Sequence, residues 1–145
     1  MRITLQRVKH ATCMVDGNIT GAIDSGLLLF VGFTSSDTPT LLPIAAKKCV
    51  ELRVFADEQG KLNRSLTDIG GSILLISQFT LYANCSRGRR PDFTSAAEPK
   101  QAEALYKQLI SLLAEYGIEV QCGIFGADMQ ISLVNDGPIT INLEW

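Results

Sequence analysis

The sequence contains a single histidine, His10, and four widely separated cysteines with no C-x-x-C pair. A structural zinc site needs about four close Cys, His or carboxylate ligands, so the sequence predicts no metal site. It also lacks the G-x-G-x-x-G and G-x-x-x-x-G-K-[ST] patterns that bind nucleotide phosphates. These absences argue against the common zinc and nucleotide-cofactor classes, and we expect no cofactor.

Long apolar runs and an excess of positive charge are also missing. No stretch approaches the ~20 apolar residues that a membrane helix needs, so we expect no membrane among the partners. Lys and Arg number 13 against 15 Asp and Glu, a net charge of −2. The whole molecule is therefore not steered toward nucleic acid, and any RNA contact must come from a local basic patch.

The even number of cysteines, Cys13, Cys49, Cys85 and Cys122, would allow two disulfides. However, the N-terminus leads directly into the strand-like residues 2–8, without a secretory signal. Disulfides persist mainly in secreted proteins. We therefore expect reduced thiols and a cytoplasmic protein.

The 145 residues predict one globular domain spanning 1–145. Strand patterns occupy the first 33 residues, with a hairpin turn at Asp16-Gly17, and recur in four later segments: 73–76, 118–122, 129–134 and 139–143. Two helices are expected, one capped by Thr38 and running to about residues 50–53, and one from about 99 to 116. Segments 57–71 and 84–94 are predicted loops. The pattern indicates a mixed α/β or α+β domain.

A short polar cluster, Ser77–Thr80, closes the apolar run 73–76. Four consecutive apolar residues after Gly70-Gly71 favour a strand buried on both faces. In one interpretation the hydroxyls only satisfy backbone groups at a sheet end. In the other they form a catalytic or oxyanion site, because fixed polar groups are strong in a dry setting.

A second polar cluster, Asn135–Pro138, closes the run 130–134. Its Asp136-Gly137 pair is a hairpin signal between two strand-like segments. Pro138, however, cannot donate to a strand ladder, and Gly137 would allow the backbone to approach a ligand closely. Both interpretations stay open on the residues alone.

The densest positive patch is formed by Arg87, Arg89 and Arg90. Such a run is either a solvated loop or a phosphate contact, and its position shortly after the first cluster favours the contact. A hydroxyl nucleophile would need a base within reach. His10 is the only histidine, and nothing in the sequence brings it near Thr80.

With these clusters the chain resembles the D-aminoacyl-tRNA deacylases. The resemblance covers essentially the whole chain and extends to the segments Gln6–Val8, Arg87–Pro91 and Phe125–Met129. It implies a β-rich α/β fold with a barrel-like core and two main helices. It also implies a homodimer in which each Gly-Pro motif is cis and reaches into the other subunit's active site.

The resemblance assigns roles by position. Gly137 and Pro138, with Asn135 beside them, would form a chirality filter whose orientation Arg7 helps to fix. Met129 and Phe125 would shape the pocket. The catalytic lining for the aminoacyl ester and terminal adenosine would consist of Ser77, Gln78, Phe79 and Thr80.

The activity implied is hydrolysis of the ester of D-aminoacyl-tRNA, and by extension of glycyl-tRNA, with L-amino acids rejected. Backbone N–H groups near Phe79 and Thr80 would hold the oxyanion, and the tRNA 2′-hydroxyl could assist; a Thr80 nucleophile is the rival mechanism. The alternatives are a dimeric RNA-binding module without catalysis and a general esterase using Thr80 or Ser77.

Overall fold

The computed structural model describes residues 1–145, and its two longest strands run antiparallel side by side. These are β1 (Arg2–Val15) and β8 (Gln130–Glu144). On its other edge β1 pairs with β3 (Gly26–Gly32) through its first half and with β2 (Asn18–Ile23) through its second half. One strand therefore connects all the antiparallel parts of the sheet.

The β1–β2 connection is the hairpin predicted at Asp16-Gly17. Both residues have positive φ, 48° and 78°, which is the backbone that this two-residue turn requires. The prediction is confirmed.

The other half of the sheet is parallel. β6 (Ser72–Ser77) pairs with β3 on one side and with β7 (Val120–Cys122) on the other. Its residues 73–76 are at most 1% exposed, as the uninterrupted apolar run predicted. β2 returns against β7, where a Cβ on Gly21 would lie 2.9 Å from the Cys122 carbonyl oxygen. The sheet is therefore nearly closed into a barrel.

Two helices make the parallel crossovers and cover one face of the sheet. α1 (Leu42–Glu51) lies between β3 and β6, and α3 (Pro99–Ala114) lies between β6 and β7. One apolar face of α3 is buried in the main core, with Leu112 half-buried beside it: Ala102, Leu105, Tyr106, Leu109 and Leu113. Both predicted helices are confirmed.

The start of the first helix differs from the prediction. Residues Pro39–Leu41 form a 3-10 turn before α1, and the Thr38 side chain makes no capping bond. Its hydroxyl instead lies 2.7 Å from the Thr40 hydroxyl. A hydrogen bond between these two neighbouring hydroxyls takes the place of the expected cap.

The segment 57–71 is not a plain loop, and that prediction is wrong. β4 (Phe55–Ala56) and β5 (Leu62–Arg64) form a small hairpin, and α2 (Leu66–Ile69) is a single turn. The turn begins with a reciprocal capping box between Ser65 and Asp68. These capping hydrogen bonds satisfy N–H groups that would otherwise be free at the start of the helix. A single turn is too short to show an apolar periodicity.

The separation of residues 129–134 from 139–143 is also wrong, because β8 runs through both segments without a hairpin. Gln6 pairs with Thr140 and Val8 pairs with Asn135. The four residues 136–139 therefore face Arg7 alone, and they form a bulge in the strand. A bulge accommodates the surplus residues without reversing the chain.

All four cysteines are free, as the sequence predicted. No cluster of three or more His, Cys, Asp or Glu side chains is arranged to hold a metal ion. None of the helices combines the length and the apolar character needed to span a membrane.

Candidate active site

The first polar cluster lies where β6 leaves the sheet. The Gln78 backbone N–H donates to the Val31 carbonyl at 2.7 Å, and residues Phe79–Tyr82 then turn into a short 3-10 helix. The turn passes close to Gly32, where a Cβ would lie 2.7 Å from the Gln78 carbonyl oxygen. The chain can therefore bend away from the sheet only because position 32 has no side chain.

A cavity of about 640 Å³ opens beside this turn. Its walls are the end of β6, the segment after β7 and the residues leading into α3. Three of the four residues predicted in the first cluster line it, and so do both pocket-shaping residues: Ser77, Gln78, Phe79, Phe125 and Met129. The lining is mainly apolar, which is typical of a small-molecule site with a few convergent polar groups.

Thr80 does not line the cavity. Its hydroxyl accepts a hydrogen bond from the Gln78 side-chain amide at 2.5 Å. The structure therefore separates Thr80 from the three residues before it in the cluster, and gives its side chain the local task of orienting Gln78.

The cavity contains no histidine and no basic side chain. Its only charged lining residues are Glu98 and Asp128, and neither makes an ion pair. His10 lies on β1 opposite Val134 of β8 and does not line the cavity. A hydroxyl–histidine pair is therefore not formed here, and the two carboxylates are the only charged groups in the lining that could accept a proton.

Phe93, which the sequence analysis did not single out, forms part of the wall. Its ring meets Phe79 edge-on, with centroids 5.1 Å apart, and Phe79 is 57% exposed. Because Phe79 is partly exposed, this aromatic pair can pack against a planar ring of a ligand. Phe93 lies three positions after Arg90, and this closeness to the Arg-rich run is the signal that could have identified it.

The three arginines lie in a loop beside this aromatic pair. Backbone hydrogen bonds between Asn84 and Asp92, 2.7 and 3.0 Å long, close the loop at its base. The arginine side chains are exposed and make no ion pair: Arg87, Arg89 and Arg90. They are therefore free to meet an anion near the cavity.

The second polar cluster lies elsewhere in the same chain. Gly137 and Pro138 in the β8 bulge and Asn135 just before it are exposed and do not line the cavity. Ile131 of β8 does line it, but six residues of strand, roughly 20 Å, separate Ile131 from Gly137. The Gly137–Pro138 bond is cis, as the resemblance implied.

Arg7 connects the second cluster to the core. Its Nε donates to the Asp136 carbonyl at 2.9 Å and lies 3.2 Å from the Asp136 carboxylate, while Nη1 donates to the Val54 carbonyl at 2.5 Å. Arg7 is only 9% exposed. A planar guanidinium can meet these partners simultaneously, which an ammonium group cannot do.

Gly137 fits this arrangement closely. Its φ is +133°, and a Cβ would lie 3.1 Å from Ile139 and 3.3 Å from Arg7 Nη2. A side chain here would be strained and would press on the Arg7 group. The absence of a side chain at Gly137 therefore allows the bulge to lie directly against the Arg7 guanidinium.

Comparison with known proteins gives one consistent result. A family model described as D-Tyr-tRNA(Tyr) deacylase matches residues 4–144. Two relatives named D-aminoacyl-tRNA deacylase, from Halalkalibacterium halodurans and Rhodopirellula baltica, are each 50% identical over 144 residues, covering 99% of this chain and 99% of the relative.

Two solved structures share the fold of this chain. One named c-Myc DNA Unwinding Element Binding Protein superposes with a TM-score of 0.93 at 38% identity, covering 100% of this chain and 99% of that one. A probable eukaryotic D-amino acid tRNA deacylase gives a TM-score of 0.85 at 17% identity, covering 98% and 97%. The second similarity shows the fold alone.

Arg7→Lys is expected to loosen the β8 bulge. Lysine cannot serve Val54 and Asp136 together, so the protein should lose about 1–3 kcal/mol of unfolding free energy. Hydrogen exchange at the Asp136 and Gly137 amides should accelerate. Denaturant unfolding and exchange by NMR measure both effects.

The matched control is Arg53→Lys, at an exposed position, which should change stability by less than about 0.5 kcal/mol. If Arg7→Lys behaved like this control in both measurements, the guanidinium would not be what holds the bulge.

Proposed function

The chain belongs to the D-aminoacyl-tRNA deacylase family, hydrolases that act on ester bonds, and on this premise we propose how it hydrolyses D-aminoacyl-tRNA. The products are free D-amino acid and tRNA, and the activity is placed in the cytoplasm, where aminoacyl-tRNA is used. The observation that carries the proposal is the cavity at the end of β6, where Ser77 and Gln78 lie in a mainly apolar lining.

The ester carbonyl is proposed to lie against the beginning of the 3-10 helix at Phe79–Tyr82. The first N–H groups of a helix have no partner within it, so that of Phe79, which lines the cavity, is suited to hold a developing oxyanion. The Gln78 amide, oriented by Thr80, is placed beside it. Stabilisation of this kind is often the largest single catalytic contribution.

Hydrolysis then needs no side-chain nucleophile. Water adds to the ester carbonyl carbon, the oxyanion collapses, and the ribose oxygen leaves with a proton. The neighbouring 2′-hydroxyl of the tRNA can relay that proton, which fits a cavity without a histidine. An aminoacyl ester is already activated, so positioning and oxyanion binding supply the main assistance.

The RNA backbone is proposed to stay outside the cavity. Glu98 and Asp128 are the only charged groups in the lining and would repel phosphate, whereas Arg87, Arg89 and Arg90 are free on the adjacent loop. Phosphate contacts position a nucleic acid without reading its bases. This arrangement directs the 3′ end inward and the phosphates to the loop.

The chirality filter is proposed to come from a second copy of the chain. In one chain the Gly137–Pro138 bulge is exposed and lies away from the cavity. β8 pairs only with β1, so its outer edge is open to a partner. In a homodimer, the Gly137 and Pro138 carbonyls of one chain would fill the space that an L side chain needs in the other's cavity.

Two other functions remain as outcomes of the tests. A general esterase would use a Ser77 or Thr80 nucleophile, but no histidine lines the cavity to activate either hydroxyl. An RNA-binding module would use the arginine loop alone and would not require the cavity. The family membership favours the deacylase over both.

Paired deacylation of D-tyrosyl-tRNA, L-tyrosyl-tRNA and glycyl-tRNA, with a chelator present, tests the proposal. We expect loss of the D ester, almost no loss of the L ester and measurable loss of the glycyl ester. Glycine has no side chain to clash, and a filter that works by clash cannot exclude it.

Each other outcome has a distinct meaning. Cleavage of both tyrosyl esters would indicate a general esterase, and cleavage of neither would indicate a binding module. A glycyl ester as stable as the L ester would contradict filtering by clash while leaving D-specific hydrolysis intact.

Thr80→Ala distinguishes the two mechanisms. Because the Thr80 hydroxyl orients Gln78 and does not line the cavity, turnover should stay within about tenfold of the unmodified protein, the loss expected for one hydrogen bond. Removing a true nucleophile costs up to about 10⁶-fold. Thr40→Ala, at a remote exposed hydroxyl, is the control, and single-turnover deacylation is the measurement.

A mixing experiment tests whether the filter acts across subunits. Arg7→Lys chains, with a loosened bulge, should gain L-tyrosyl-tRNA cleavage. They are refolded together with a large excess of Gln78→Ala chains, whose own cavities are impaired but whose bulges are intact. If the filter acts in trans, each working cavity receives an intact bulge and L cleavage disappears while D cleavage remains.

If the filter belonged to the same chain as the cavity, mixing would leave the L-to-D ratio unchanged. Refolding Arg7→Lys chains with an excess of further Arg7→Lys chains is the matched control for the procedure.

A further inference from the structure

The carbonyl oxygen of Leu75 accepts two hydrogen bonds from different parts of the fold. The Tyr106 hydroxyl on α3 donates to it at 2.7 Å, and the Gly123 backbone N–H donates to it at 3.2 Å. Leu75 is two residues before Ser77, and Gly123 directly follows β7. The Tyr106 side chain therefore shares an acceptor with the last backbone hydrogen bond between β6 and the segment after β7.

This link lies where the two cavity walls separate. The last paired residues of β6 and β7 are Leu75 and Cys122. Beyond them the segment after β6 continues to Ser77–Phe79, and the segment after β7 continues to Phe125–Met129. The cavity lies between these two segments. The geometry at this fork sets how far apart the walls begin.

Tyr106 also supports the second wall directly. Its ring lies 5.9 Å from the Phe125 ring, centroid to centroid, and the residue is 3% exposed. Burial raises the pKa of the Tyr106 hydroxyl, and burial also raises the pKa of the neighbouring Cys122 thiol. Both groups are therefore neutral near pH 7, and the hydroxyl stays a donor.

The second wall packs tightly against the fork. A Cβ on Gly123 would lie 2.4 Å from Met129 Sδ and 3.2 Å from Cys13 Sγ. The Met129 side chain therefore packs directly against Gly123, so a displacement of Gly123 would also displace Met129.

We propose that Tyr106 is a positioning residue for the deacylase cavity: its hydroxyl fixes the Leu75–Gly123 fork and thereby the spacing between the Ser77–Phe79 and Phe125–Met129 walls. Tyr106 does not line the cavity and touches no reacting atom. The proposal rests on the proposed function, because the spacing matters only for an ester held between those walls.

Tyr106→Phe keeps the ring and removes the hydroxyl. We expect kcat for D-tyrosyl-tRNA to fall about fivefold to tenfold, the range for one lost buried hydrogen bond. KM should change less, because the ester is misplaced relative to the oxyanion donors rather than bound less often. Thermal unfolding is measured first, and all assays are run well below the lowest midpoint.

Two controls separate positioning from stability. Leu109→Ala, on the same helix and fully buried, should lower the unfolding midpoint at least as much but leave kcat unchanged. Tyr116→Phe, at a 40% exposed tyrosine just beyond α3, should change neither. Equal kcat for Tyr106→Phe and Leu109→Ala would overturn the proposal, as would a Tyr106→Phe chain that does not fold.

A second readout needs no activity. The chain has three methionines, so methyl-labelled methionine should give three NMR signals, with that of Met129 assigned by Met129→Leu. Tyr106→Phe should shift or broaden the Met129 signal, and Leu109→Ala should not. An unmoved Met129 signal would overturn the proposal; an inactive unmodified protein with a moved signal would refute the deacylase function and retain the positioning.

Discussion

The cavity exists because two parallel strands stop pairing at the same point. β6 and β7 are paired as far as Leu75 and Cys122. The segments that follow these two strands then diverge around the cavity. Buried backbone groups must find partners, so the end of the pairing has to be completed by other donors. The Tyr106 hydroxyl and the Gly123 N–H do so. The walls of the site thus begin from a satisfied and rigid edge rather than from a loose loop.

A second constraint acts on the opposite part of the sheet. A guanidinium as buried as that of Arg7 is tolerated only when its donors are engaged. Its partners are the Val54 carbonyl and both the carbonyl and the carboxylate of Asp136. These contacts hold residues 136–139 of β8, four residues opposite one, in a defined bulge that includes Gly137. The same interaction that satisfies a buried charge therefore presents the Gly-Pro segment at the surface.

The two polar clusters differ in what surrounds them, and this difference agrees with the division of work proposed for them. Ser77 and Gln78 face a mainly apolar cavity, where hydrogen bonds to a developing charge gain strength from the low local dielectric. Gly137 and Pro138 are exposed and offer carbonyls and shape rather than chemistry. In the proposed homodimer, binding in the cavity and exclusion at the bulge would be separate functions of two chains.

Much of this was accessible from local patterns. The uninterrupted run before Ser77 indicates a strand buried on both faces, the Asp16-Gly17 pair indicates a hairpin, and the leucine spacing of residues 99–116 indicates a helix. Each depends on neighbours within a few residues, so the sequence carries the signal directly. The two polar clusters stand out for the same reason, since each interrupts an apolar pattern.

Other features depended on partners far along the chain. Asn135–Pro138 reads locally as a hairpin turn, and only pairing with β1 across Gln6 and Val8 makes it a bulge. Thr80 reads as part of the site, but in the folded chain it does not line the cavity and its hydroxyl accepts a hydrogen bond from the Gln78 amide. The sequence by itself determined the two main helices, the first hairpin, the buried strand and the residues able to do chemistry, because propensity and burial pattern are local. Which of those residues share one space was decided by the tertiary structure, because pairing and packing join positions that no local pattern connects.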